Sequence, residues 1–180
     1  MLRYAPHRIR AGLAVWAGVL ACGTVAAQST EWFMHAGGIS HHFQPTQAPG
    51  HAWQDQHAGL GLERRSEAFG DSRGDWRLSA AGGVLQDSRA FWGGYGGMAW
   101  LHEWRRSGLA DLGLGVGAYG FYRSVSWSGR MALVPALLPM ASLQFPAAAM
   151  GLDLVYVPRV PARHETMPAV LHLQLDFRLD

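Results

Sequence analysis

The sequence predicts an all-β chain, an eight-stranded antiparallel up-and-down β-barrel set in a membrane, and three observations carry the prediction. After the leader, no segment approaches the roughly 20 consecutive apolar residues that a spanning helix requires. The chain divides instead into eight segments of about ten residues, each alternating in polarity and bounded by turn residues. One long apolar run, Leu133 to Pro158, is broken by prolines; exposed to water it would be a liability, whereas in lipid it is what a barrel wall needs.

Residues 1–27 read as a secretory signal peptide and residues 28–180 as a single barrel domain. Arg3, Arg8 and Arg10 form a basic n-region without an acid, an apolar run follows, and Val25-Ala26-Ala27 supplies small residues at the cleavage site. Val19-Leu20-Ala21-Cys22 also matches a bacterial lipobox, which would make Cys22 the mature N-terminus. Cleavage after Ala27 removes the only cysteine, and with it any disulfide framework or cysteine nucleophile. Without the leader's three arginines, 12 of the 15 basic residues stand against 13 acidic ones, so the charge gives no reason to expect nucleic acid. Every basic residue is arginine, the side chain that grips phosphate through a planar fork.

The first two segments, near Glu31 to Phe43 and His57 to Arg65, are the least regular. The third, Arg77 to Gln86, sets Leu78, Ala80, Gly82 and Val84 against Arg77, Ser79, Ala81, Gly83 and Leu85. The fourth, Phe91 to Trp104, is rich in glycine and tryptophan. In the fifth, Leu112, Leu114, Val116 and Ala118 share one face and Gly113, Gly115 and Gly117 the other, which leaves volume on the inner side. The sixth and seventh flank a tight turn at Phe145-Pro146, and Pro139 and Pro158 fall where a continuous sheet would want donors. The last, Val170 to Leu179, alternates Leu171, Leu173, Leu175, Phe177 and Leu179 with His172, Gln174, Asp176 and Arg178. Connections fall into a short set and a longer set, and the longer set, which contains Gln44 to Gln56, the Asp87-Ser88 corner, Arg123 to Arg130 and Arg159 to Met167, is read as facing outward.

The phrase LVPALLPMAS followed by VYVP resembles the C-terminal half of the outer-membrane lipid A palmitoyltransferases, the PagP family. That resemblance implies a lateral doorway for lipid between the sixth and seventh strands, at Pro139 and Pro158. It also implies an active site of His42, Asp87 and Ser88, with Ile39-Ser40-His41-His42 and GGVLQDSRAFW as the matching phrases. His35 and His41 are the other candidates for the histidine, but a strand starting near Ser29 puts His35 mid-wall and His42 at the rim. Taken alone, an acid beside a hydroxyl at a strand end is a common turn cap. The family's acyl-pocket floor falls on Ala99, with a gapped alternative through Gly93-Gly94-Tyr95-Gly96.

In such a site a neutral histidine is the natural base, a carboxylate orients it, and Ser88 acts as nucleophile or as donor to the oxyanion. Arg123 and Arg130, with Arg159 and Arg163 in the next loop, are candidates for holding lipid phosphate. The expected function is transfer of an acyl chain, palmitate by the resemblance, from a glycerophospholipid donor to lipid A in the bacterial outer membrane. The protein is expected to act as a monomer, without metal or nucleotide cofactor. The alternatives are a non-catalytic small barrel of the OmpX kind, or a lipid A deacylase, whose His-x-Ser phrase is not found here.

Overall fold

The computed structural model describes residues 30–43, 51–66, 69–71, 74–106, 108–160 and 167–179. The leader expected over residues 1–27, with Cys22, and Arg163 in the last loop lie outside the described residues. The wall strands are β1 (Glu31–Phe43), β2 (Gln56–Arg65, resumed at Phe69–Asp71), β3 (Gly74–Gln86), β4 (Trp92–Arg106), β5 (Ala110–Ser124), β6 (Met131–Phe145), β7 (Met150–Val157) and β8 (Ala169–Leu179). Each pairs antiparallel with the next, and β1 also pairs with β8 from Trp32↔Leu179 to Phe43↔Ala169, which closes the sheet into an eight-stranded barrel. Closure removes the free sheet edges that lipid could not hydrogen-bond.

Polarity is inverted relative to a water-soluble protein. Leu60, Leu62, Trp76, Val84, Trp92, Trp100, Leu112, Leu114, Val116, Leu133 and Leu137 are exposed on the outside, whereas Glu63, Arg65, Glu103, Asp153 and Asp176 are buried inside. An apolar outer band around a charged lumen is the pattern of an outer-membrane barrel, and the protein is located in the bacterial outer membrane. The period-two faces read in β5 hold: Leu112, Leu114 and Val116 point to lipid, and Gly113 and Gly117 are buried. Gly115 is obligatory in its place, because a Cβ there would strike the backbone carbonyl of Trp100 on β4.

Two irregularities shape the wall. The register of β1 shifts between Ala36 and Gly38, and a Cβ on Gly37 would collide with the His57 carbonyl, so the bulge needs glycine. The larger irregularity lies between β6 and β7. Their ladder runs only from Phe145↔Met150 to Met140↔Val155, while β6 stays paired to β5 as far as Ser124↔Met131. Pro139 is the first residue of β6 beyond the last β6–β7 pair, and Pro158 directly follows β7. The outer half of the wall is therefore unladdered on this one seam, although the Val160↔Met167 bridge closes the loop above it.

Candidate functional site

An apolar cavity occupies the outer half of the lumen. Leu85, Tyr95, Tyr119, Phe121, Leu138, Met140, Val155, Val157 and Pro158 line it, so it lies against the unladdered seam. The inner-face glycines leave less empty space than the sequence implies. The ring of Tyr119 lies over Gly97 and Gly117, where a Cβ on either glycine would meet it. Ala99 pairs with Gly117 and is fully buried, but it sits on the inner side of this ring and is not part of the cavity lining.

The other predicted site residues are distributed as follows. Asp87, Ser88, Arg123 and Pro158 line the cavity; His42, Pro139 and Arg130 do not. Asp87 is occupied as a turn cap: Oδ1 accepts the backbone N–H groups of Arg89 (2.9 Å) and Phe91 (3.0 Å), and Oδ2 accepts that of Ser124 (2.9 Å). His42 points inward at the rim, and its Nδ1 lies 2.8 Å from the Asp55 carboxylate. The carboxylate paired with His42 is thus Asp55, which the sequence reading passed over as part of a loop. Trp53 stacks on His42 at 5.4 Å, and the Arg89 guanidinium lies over Trp53 and Trp127, so the outer loops pack together above the cavity. His41 faces outward against Phe43.

Three residues that sequence reasoning did not select stand in the cavity mouth. The Ser40 hydroxyl is 3.0 Å from Nδ1 of His172, and the rings of His172 and His57 meet edge to face at 5.3 Å. Nδ1 of His57 donates to the Gln86 carbonyl at 2.9 Å. A carbonyl only accepts, so neutral His57 presents Nε2 as a bare base, and that atom is buried without a hydrogen-bond partner among the described residues. The available signal was the inner-face phase of β2 and β8, which puts His57 and His172 on the lumen side; Ser40 was hidden by the bulge at Gly37, which reverses the phase of β1.

The deep end of the cavity is ionic. One guanidinium nitrogen of Arg65 meets Glu63 at 2.8 Å, Asp176 at 3.1 Å and Asp153 at 3.3 Å, with the Phe33 ring 4.0 Å beneath the guanidinium. His35 completes the group, with Nε2 2.8 Å from Glu63 and Nδ1 3.3 Å from the Tyr95 hydroxyl. His35 is mid-wall, as its position in the strand requires.

No protein-family model matches the chain, and no curated protein matches it. Solved structures similar to it include the Yersinia pestis outer-membrane protein Ail in a phospholipid bilayer nanodisc, at 15% identity and TM-score 0.41, covering 84% of this chain and 100% of that one. The crystal structure of Ail matches at 16% identity and TM-score 0.42, covering 86% and 100% of the two chains. Ail in complex with the heparin analogue sucrose octasulfate matches at 16% identity and TM-score 0.35, covering 83% and 97%. The resemblance to the lipid A palmitoyltransferases is corrected here: no family model and no curated protein places the chain among those enzymes, and the solved structures named above are of Ail. Two of the phrases behind the resemblance have local causes here, a turn cap at Asp87 and an interrupted ladder at Pro139.

Proposed function

We propose that this outer-membrane barrel holds one acyl chain of a neighbouring lipid in the outer half of its lumen, admitted sideways between β6 and β7. The observation that supports this is the coincidence of an apolar cavity with the stretch of wall that lacks a ladder. A chain arriving from the bilayer exchanges one hydrocarbon environment for another, so burial from water does not drive the step. Shape and the polar rim must select the ligand, and Arg123 at the mouth is suited to a lipid phosphate. Binding of this kind requires no catalysis and agrees with a small non-catalytic barrel. Native mass spectrometry of the barrel extracted from outer membranes should find one retained phospholipid or lipid A. Val157→Trp, which fills the seam, should lose it while the barrel remains folded by heat-modified gel mobility. Extraction without any bound lipid, or equal retention by Val157→Trp, would sink the proposal.

A second reading, transfer of the held chain from a glycerophospholipid to lipid A, is favoured by the hydroxyl and imidazole groups at the mouth of the same cavity. Ser88 lies there, and the Ser40–His172 pair has the geometry of a hydroxyl beside its base. Lipid A from cells with and without the protein, compared by mass spectrometry, distinguishes the two. An added acyl chain that disappears with His172→Ala supports transfer; unchanged lipid A leaves binding alone.

A further inference from the structure

We propose that the deep end of the lumen is a divalent-cation site of the zinc class, with His35, Glu63 and Asp153 as its ligands. Charge is the first argument. Three buried carboxylates share the single guanidinium of Arg65, so the cluster carries two negative charges in excess when His35 is neutral. Burying unbalanced charge is costly, and a divalent ion cancels the excess completely, whereas a proton on His35 cancels only half.

Geometry is the second argument. The ligand atoms of His35, Glu63 and Asp153 all lie within 4.8 Å of one another. Two ligands of a tetrahedral zinc stand about 3.3 Å apart, given bonds of roughly 2.0–2.1 Å, so the 2.8 Å contact of His35 with Glu63 opens by about half an ångström to admit the ion. His35 can serve this role by a change of tautomer: without an ion, Nε2–H donates to Glu63, and with the proton moved to Nδ1, 3.3 Å from the Tyr95 hydroxyl, Nε2 is bare for a metal. That outer hydrogen bond is the usual way a protein orients a metal-binding imidazole. Two acceptors facing each other at 2.8 Å repel unless a proton or a metal lies between them.

The third observation is independent of both. Asp153 is 4% exposed and lines the cavity, yet its Oδ1 is buried without a hydrogen-bond partner among the described residues. His35 and Glu63 line the same cavity, so an ion can reach all three ligands from the outer end without crossing the wall. An imidazole with two carboxylates favours zinc over calcium, which seeks six or more oxygens.

The test uses the untagged full-length mature barrel, refolded, stripped with chelator and titrated with zinc, with calcium in parallel. One zinc per barrel is expected by calorimetry and by elemental analysis after desalting, and calcium should not displace it. His35→Gln and Asp153→Asn should each weaken zinc binding by roughly a hundredfold or more. His57→Ala and His172→Ala, which alter only the rim, should leave it unchanged. X-ray absorption of the zinc-loaded wild type should show a nitrogen and oxygen shell containing one imidazole, a readout that requires no variant to fold. A wild type that retains no zinc, a shell without imidazole, or loss of zinc only on rim substitution each overturns the proposal.

Discussion

Arg65 is the residue on which the lumen's electrostatics turn, and Arg65→Met measures it. Methionine keeps an unbranched apolar stem over Phe33 but removes the guanidinium that lies 2.8, 3.1 and 3.3 Å from three carboxylates. Removing one partner of a buried ionic group strands the others, and the usual loss is about 3–5 kcal/mol. The contact with the Phe33 ring lies within that figure rather than on top of it, because the groups act as one unit. The assay is urea unfolding of the barrel in phospholipid vesicles with chelator present, followed by tryptophan fluorescence and gel mobility. Adding Asp176→Asn to Arg65→Met should recover part of the loss, since it removes one of the stranded charges. Arg178→Met is the control: its ion pair with Glu31 spans 3.8 Å at a part-exposed position and should matter little. An Arg65→Met barrel within about 1 kcal/mol of the wild type would refute the view that these carboxylates are held as ions by that one guanidinium.

Asp87→Ala should loosen the outer corner by roughly 1–3 kcal/mol, because three backbone N–H groups lose their acceptor. Limited proteolysis near Arg89 would report it, and Ser88→Ala should cut no faster than the wild type. Gly115→Ala should destabilise the barrel by about 1–3 kcal/mol in the same urea assay, since the new methyl group meets the Trp100 backbone, which cannot rotate away. Cysteines at Leu138 and Val157, beyond the last β6–β7 pair, should on oxidation reduce lipid capture severalfold and release it on reduction. Full capture by the crosslinked barrel would point to another route into the cavity.

The wall was legible from the sequence because a strand assigns its faces by local rule. Alternate residues point to opposite sides, so Leu112 and Leu114 in β5 or Leu173 and Leu175 in β8 could be given to lipid from their neighbours alone. Pro139 was legible as a break for the same local reason, because proline has no donor to contribute. The lumen was not legible, since its partners are set by register around the whole circumference. Arg65 reaches Asp153 across 88 residues and Asp176 across 111. Period two tells that Asp176 faces inward but not which residue faces it. His42 shows the same limit: its rim position followed from strand length, but its carboxylate came from a folded-back loop at Asp55 rather than from the Asp87 corner.

The Asp-Ser corner shows why a short phrase at a turn is weak evidence for chemistry. A chain leaving β3 to enter β4 must satisfy the backbone donors of the turn, and a carboxylate with two oxygens can accept several at once. Asp87 does this for Arg89, Phe91 and Ser124, so it binds its own corner to the end of β5. A carboxylate so engaged has little capacity left to orient an imidazole, and the histidines at this rim find other partners: Asp55 for His42, the Gln86 carbonyl for His57 and Ser40 for His172. Function in this barrel must therefore be sought in what those side chains present to the cavity. At the mouth, Nε2 of His57 is a buried base without a hydrogen-bond partner among the described residues, and a ligand that enters the seam and carries a polar head is what would meet it.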